Sequence, residues 1–260
     1  MVNRTLGITL KEINDWNCCG ATVVFSLDAF KSLVLAARIL ALAEKQGFDE
    51  IVTGCNACYT TLRKASVMIS KDDQTLTSIN AAISKESLKI EHILPVRHYL
   101  EILADPKWTD AWRQKRPGKL KDIQVAAYYG CQFSRPWADV DHPEQPLMLD
   151  NLIEDMGFSA VKHSASTLCC GASHAVPYPL DCRPLISRIV LEARTKGAQM
   201  MTTICPLCQF NLDNGQKDLP GEGLPVPYFS QLAGIALGIR PEKLGVGKLL
   251  ITIGGVLKRI

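Results

Sequence analysis

Thr167-Leu168-Cys169-Cys170-Gly171 is the stretch on which the fold reading turns. Two adjacent cysteines hardly bridge each other, because a disulfide needs Cβ atoms about 3.5–4.5 Å apart and a staggered S–S torsion. Both can instead point at one metal centre, and a glycine beside them lets the backbone approach closely. The same tripeptide stands earlier as Cys18-Cys19-Gly20. Each copy is followed by a Cys-x-x-Cys, first Cys55 and Cys58, then Cys205 and Cys208. Cys18 and Cys169 are 151 residues apart (169 − 18), as are Cys19 and Cys170. Cys55 and Cys205 are 150 apart (205 − 55), and so are Cys58 and Cys208, Gly7 and Gly157, and Gly47 and Gly197. Six positions kept in step across half the chain mark two copies of one cysteine-bearing module.

The 260 residues, 47% of them hydrophobic, have room for one large domain or two modest ones. A net charge of +3, with no block of like charge and no aromatic-basic motif, argues against a nucleic-acid partner. No segment approaches the roughly 20 apolar residues of a membrane span. Met1-Val2-Asn3-Arg4-Thr5-Leu6-Gly7 holds no run long enough for a signal core. Ten cysteines in a chain of this kind point to metal or redox chemistry in a cytoplasmic setting, ahead of structural disulfides.

Taken in order, residues 2–7 match 152–157, which read as the end of a helix that begins near Pro146 and stops at Gly157. The partner of Cys131 would therefore fall ahead of Met1 (131 − 151 = −20). The register expects roughly 30–40 further residues of the first module there, the competing reading being a degenerate module that begins at Met1. Alternation predicts a strand over Ile8–Ile13. Helical spacing predicts a helix from Asp28, its cap, to Gln46, with Gly47 as its stop. Glu50–Thr53 reads as a short buried strand, and Cys55-Asn56-Ala57-Cys58 opens a helix to about Ile69. The exposed N–H groups at such a helix start are expected to favour thiolates at the Cys-x-x-Cys. Residues 70–90 read as an irregular insertion or helix, Ile93–Val96 leads to a helix over about 98–103, and 105–121 is the connection between modules. In the second half, strands are expected at Ile123–Tyr128, Ser159–Lys162 and Met200–Thr203. Helices are expected from about Pro184 to Lys196, after Cys205, and from Tyr228 to Leu237. Residues 249–258 read as a hairpin about Gly254-Gly255, whose apolar residues and Lys258-Arg259 suit a partner or self-contact better than a membrane surface. The whole is an α/β protein of two similar modules, 1–118 and 119–260. Each has a small parallel sheet flanked by helices, with the cysteine loops converging at the module interface.

The complete set is Cys131, Cys169, Cys170, Cys205 and Cys208, from three loops that would meet at one end of a parallel sheet. Five sulfurs are one more than tetrahedral zinc takes and one more than an ordinary cubane cluster takes. The count points to an unusual iron–sulfur centre in which one thiolate bridges or holds an extra iron. Zinc at four of the five positions is the competing reading.

This pattern resembles the cysteine-rich, or CCG, domain, and its pairing over nearly the whole chain resembles the B-type subunit of heterodisulfide reductase. Trp16-Asn17-Cys18-Cys19-Gly20-Ala21, Gly54-Cys55-Asn56-Ala57-Cys58 and Cys205-Pro206-Leu207-Cys208-Gln209-Phe210-Asn211-Leu212-Asp213 carry the resemblance. The ending Pro225-Val226-Pro227-Tyr228-Phe229-Ser230-Gln231-Leu232-Ala233-Gly234-Ile235-Ala236-Leu237-Gly238 adds to it. The resemblance implies a non-cubane [4Fe-4S] cluster in each five-cysteine motif and a disulfide substrate split between two such clusters. It also implies electrons delivered singly by a ferredoxin-like subunit of the C type, with a flavin-containing subunit of the A type in the same complex. Membrane association would come only through such partners. Cys131, Cys169, Cys170, Cys205 and Cys208 carry over as a full ligand set. Cys18, Cys19, Cys55 and Cys58 carry over as four of five, a departure from the family pattern at the first cysteine. The rival readings are an electron-transfer iron–sulfur subunit of the glycolate or lactate oxidation type, and a zinc-stabilised interaction scaffold.

Other residues carry less. Cys182 has no cysteine partner in the first half and reads as a small buried thiol. His163 and His174 flank the second adjacent pair and are within reach of substrate or cluster sulfur, though ordinary loop or surface roles are the commoner reading. Arg135, near Cys131, suits an anionic substrate or plain solvation equally. His92, His98 and His142 have no cysteine spacing. Gly245-Val246-Gly247-Lys248 lacks the spacing of a phosphate loop.

Overall fold

A computed structural model describes residues 1–21, 23–115, 120–217 and 219–258, with the backbone alone at 113 and 115. The module division expected at 118/119, with Pro117-Gly118-Lys119 of the connection, lies outside the described residues, as does Arg259 of the tail. The fold is mixed α/β, in two compact units: residues 10–99, and residues 1–9 together with 100–260. The chain opens with helix α1, Val2–Leu6, which ends at Gly7 in the left-handed conformation, as the match to Gly157 predicts.

In the smaller unit a short helix α2, Val23–Leu27, leads to the long α3, Ala29–Lys45. The Asp28 carboxylate accepts from the Lys31 N–H at 2.9 Å and caps α3, as the sequence predicts. Strand β1, Ile51–Thr53, feeds α4, Asn56–Lys71, and then α5, Asp73–Ile83, capped by Asp72. Strand β2, Val96–His98, pairs in parallel with β1, Ile51 opposite Val96. On α4, Tyr59, Leu62, Ala65 and Ile69 fall on one buried face at helical spacing, with Leu40 and Ala37 of α3 also in the core. Two expectations change here. Residues 8–13 form no strand, because the alternation has no buried face to serve: Leu10 is 45% exposed. His98 ends a strand and does not open the following helix. It is fully buried, with its ring edge-on to Tyr59 at 5.7 Å.

In the larger unit, α6 (Tyr99–Leu103) and α7 (Thr109–Lys115) precede strand β3, Gln124–Tyr128. Then come α8 (Met148–Asp155), β4 (Ser159–Val161), α9 (Pro179–Thr195), β5 (Met200–Thr203) and α10 (Pro206–Asn214). Helices α11 (Phe229–Ala236), α12 (Pro241–Leu244) and α13 (Gly254–Leu257) complete it. The sheet order is β4-β3-β5, all parallel, with Val125 opposite Ala160 on one side and Met200 on the other. The central strand β3 is covered on both faces, so Val125, Ala126, Ala127 and Tyr128 are buried and its sequence reads as a continuous apolar run.

Helix α9 starts five residues before the expected Pro184. Pro179 sits at its first turn, where a missing N–H costs nothing, and Pro184 is tolerated inside. The expected hairpin at Gly254-Gly255 is the helical turn α13. Neither glycine takes the positive φ that a two-residue hairpin turn demands. Just before it, the Leu250 and Ile251 N–H groups donate to the buried Asp213 carboxylate at 2.8 and 3.1 Å. Among the described residues no helix is long and apolar enough to cross a membrane.

Candidate functional site

Each strand of the three-stranded sheet delivers one cysteine-bearing loop from its C-terminal end. Cys131 follows β3, Cys169-Cys170 follows β4, and Cys205 follows β5. Parallel strands of an open α/β sheet place ligands at this end, because the crossover connections leave it free for loops. The five thiols are gathered there. Cys170 Sγ lies 3.4 Å from Cys208 Sγ. Cys131 is hydrogen-bonded to Cys169, and Cys208 to Cys205. The smaller unit repeats the pattern with its four: Cys19 Sγ lies 3.1 Å from Cys58 Sγ, Cys18 is hydrogen-bonded to Cys19, and Cys55 to Cys58. In both adjacent pairs the first cysteine is exposed and the second buried. All ten cysteines are free thiols.

The protons are shared unequally within the pairs. Cys169 is lowered to about 6, first because Cys131 hydrogen-bonds to it, and Cys131 is pushed up in exchange. Cys19 is likewise lowered to about 6 opposite Cys58, which rises. Cys170 is lowered by its hydrogen bond from Cys208, which rises well above the ordinary range. The thiolate character therefore sits on Cys19, Cys169 and Cys170, and Cys58 and Cys208 do not carry the thiolates expected at the helix starts. Cys55 and Cys205 do occupy the N-cap positions of α4 and α10, but neither side chain caps its helix. Cys58 and Cys208 spend their protons on the neighbouring sulfurs and cannot also ionise beside them.

The loop that carries Cys169 and Cys170 is held by its carbonyls. The Tyr129 and Gly130 N–H groups donate to the Ser166 carbonyl at 2.9 and 3.1 Å. The Tyr128 hydroxyl donates to the Leu168 carbonyl at 2.6 Å, and Asn211 Nδ2 to the Cys170 carbonyl at 2.6 Å. Tyr128 is fully buried against the thiols; burial first, then the cluster of thiol groups around it, raises its phenol well above the usual range. Sequence reasoning assigned no role to Tyr128 or Asn211. The signals were a tyrosine at the end of a strand entering Gly130-Cys131, and an asparagine one helical turn after Cys208.

Cys182 is a buried thiol, as expected, and donates to the Gly171 carbonyl at 3.3 Å. His163 is buried, not on the surface; its Nε2 is 2.9 Å from the Ala127 carbonyl, and burial lowers its pKa. His174 is exposed, and its nearness is a minor cause of the lowering at Cys169. Arg135 is engaged by Glu144 at 2.9 Å and reaches Thr167 Oγ1 at 3.4 Å, so its cation is already paired beside the loop.

The donors are sulfur alone, with no carboxylate or imidazole among them. Cys205, Cys208 and Cys170 run as one hydrogen-bonded series beside the Cys131–Cys169 pair. An all-sulfur donor set fits an iron–sulfur cluster, whose irons are held by cysteine thiolates.

Five thiols gathered at the ends of three parallel strands, and a second group of four in the smaller unit, define a cysteine-rich α/β protein built to gather thiolates. The chain belongs to the CCG family: the model described as "Cysteine-rich domain" matches residues 1–63 and 125–213. It is 31% identical, over 95% of its length and 87% of the relative, to the 8-methylmenaquinol:fumarate reductase membrane anchor subunit of Wolinella succinogenes. It is 30% identical, over 94% of its length and 84% of the relative, to the B-type subunit of the ferredoxin/F(420)H(2)-dependent CoB-CoM heterodisulfide reductase of Methanosarcina acetivorans. The fold is shared with a solved structure, a hypothetical protein from Helicobacter pylori, at a TM-score of 0.78 over 97% of this chain and 14% identity; this chain spans 47% of that one. Both curated relatives are subunits of oxidoreductases, as the sequence reading expects of this chain.

Proposed function

We propose that this protein is the cluster-bearing subunit of a heterodisulfide reductase-like complex, and that Cys131, Cys169, Cys170, Cys205 and Cys208 hold a non-cubane [4Fe-4S] cluster. The carrying observation is the convergence of those five thiols from three strand ends, with Cys170 and Cys208 in contact at 3.4 Å. Such a cluster supplies one-electron steps and an iron site for a substrate sulfur. The chain's own residues do the rest. Buried Cys170, Cys205 and Cys208 anchor the inner face, and exposed Cys169 marks the side from which a thiol or disulfide arrives. Tyr128 and Asn211 keep the ligand loop in place. Tyr128, fully buried, also closes the inner side to water. Cys18, Cys19, Cys55 and Cys58 form a second ligand set of four in the smaller unit.

The two-module division, 1–118 and 119–260, is part of the same proposal. It is supported by the two separate segments that the family model matches and by α3 and α9, whose ends are both 150 residues apart (179 − 29 and 195 − 45). The partners in this reading are a ferredoxin-like subunit that delivers electrons and a flavin-containing subunit. A second reading rests on the relative in 8-methylmenaquinol:fumarate reductase, whose identity equals that of the heterodisulfide reductase relative to within one per cent (31% against 30%). There the chain would pass electrons between partners without meeting a disulfide itself.

Anaerobic purification with iron and sulfide counting tests the proposal. About four irons and four sulfides at the complete set are expected, and Cys170→Ser removes them while leaving the four upstream cysteines untouched. Zinc without sulfide, or iron unchanged in Cys170→Ser, overturns it. A change in the cluster's electron paramagnetic resonance on adding thiol to the oxidised protein supports disulfide chemistry. An unchanged spectrum leaves electron transfer.

A further inference from the structure

The equal offset of α3 and α9 pairs Ser32 with Cys182 (182 − 32 = 150). Matching cysteines only to cysteines leaves Cys182 without a counterpart; matching positions does not. The two side chains do the same thing. Ser32 Oγ donates to the Gly20 carbonyl at 2.9 Å, and Cys182 Sγ donates to the Gly171 carbonyl at 3.3 Å. Both are buried, at 1% and 3% exposure. Each carbonyl takes one further bond from the turn that follows, Phe25 N–H on Gly20 at 3.2 Å and His174 N–H on Gly171 at 2.8 Å.

Both glycines have positive φ, 77° and 80°. A Cβ on Gly20 would stand 3.2 Å from Ser32 Oγ, and one on Gly171 2.8 Å from Cys182 Sγ. The long helix therefore lies directly against the glycine in both units: a side chain on Gly171 would collide with Cys182, and one on Gly20 would press tightly on Ser32.

We propose that Ser32 and Cys182 are equivalent positioning residues: each pins the glycine that closes an adjacent-cysteine pair to the helix behind it, and so fixes which of the two thiols is buried. In both pairs the first thiol is exposed and the second buried. Releasing the glycine carbonyl would free the end of the cysteine loop to shift and uncover the buried sulfur. A hydroxyl and a thiol are each a single donor on a Cβ and are interchangeable in this role, the thiol with the longer bond. Cys182 is thus a proton-bearing donor and not a further thiolate ligand. The importance of the thiol positions rests on the proposed cluster, whereas the pinning itself does not.

The full chain is compared as wild type, Cys182→Ala, Cys182→Ser, Ser32→Ala and Ser32→Cys. Iodoacetamide labelling of Cys170 and Cys19 is read by peptide mass in the metal-free protein, and the paramagnetic resonance line shape is read after anaerobic reconstitution with iron and sulfide. Each alanine variant is expected to raise labelling of the buried cysteine in its own unit by roughly two- to tenfold, the opening that one lost hydrogen bond permits, without affecting the other unit. Cys182→Ala alters the line shape. Cys182→Ser and Ser32→Cys behave as wild type in both measurements. Alanine variants that label like wild type overturn the inference, as does a Cys182→Ser variant as exposed as Cys182→Ala. If Cys182→Ala does not fold, the Cys182→Ser comparison and the Ser32 variants decide the matter. A wild-type chain that takes up zinc and no sulfide sinks the cluster reading while leaving the labelling result standing.

Discussion

Cys169 shows how a single residue's chemistry is set by its neighbour. Its thiolate is stabilised by the Cys131 proton, and Cys131 cannot release that proton without placing two negative charges side by side. A thiol with an ordinary pKa near 8.5 loses its thiolate as the pH drops below that value. Cys169, lowered to about 6 and exposed, keeps its thiolate through neutrality. In the metal-free protein, iodoacetamide should therefore alkylate Cys169 at a nearly constant rate from pH 8 down to 7 and at half that rate near pH 6. Mass analysis of the labelled peptide against pH checks this; a rate already falling tenfold between pH 8 and pH 7 excludes the pair. The sequence made all nine ligand candidates visible through their spacing. It could not show which sulfur of each pair keeps its proton, because that follows from a contact between loops about 40 residues apart, such as Cys170 with Cys208.

Among elements, the long helices were the most legible. The predicted span of α3 agrees with Ala29–Lys45 because Asp28 caps one end and Gly47 follows the other. The misreadings share a cause: a local pattern was read without its tertiary partner. Residues 8–13 alternate but find no sheet edge, and Gly254-Gly255 resembles a turn but has no strands to join. Gly234, inside α11, is a position where local propensity and packing disagree. Alanine is preferred over glycine in a helix by about 1 kcal/mol. A Cβ there, however, would lie 2.2 Å from Leu244 Cδ2 and 2.9 Å from its Cδ1, while Gln231 Nε2 holds the Leu244 carbonyl at 3.0 Å and keeps α12 from withdrawing. Overpacking of this kind costs about 1–3 kcal/mol. Gly234→Ala should thus lower the urea midpoint with an unchanged slope; a raised midpoint would show that propensity wins.

For the molecule as a whole, ligand binding and folding are linked. Whatever binds the folded chain alone stabilises it, and thiolate sites release protons as they fill. Loading the purified chain with iron and sulfide should raise its thermal midpoint, most of the gain disappearing in Cys208→Ser. A midpoint indifferent to loading would mean that the thiol clusters do not bind in the folded state. The repeat, the α/β class and the cysteine spacing can be read along the chain, because spacing and periodicity are properties of its length. The hydrogen bonds from Tyr128, Asn211, Ser32 and Cys182 to the cysteine loops emerge with the packed chain. Those roles depend on donors meeting carbonyls 11 to 41 residues away. A hydrogen bond is specified by a distance in space, and serine and cysteine meet the same requirement there while looking unrelated in the sequence.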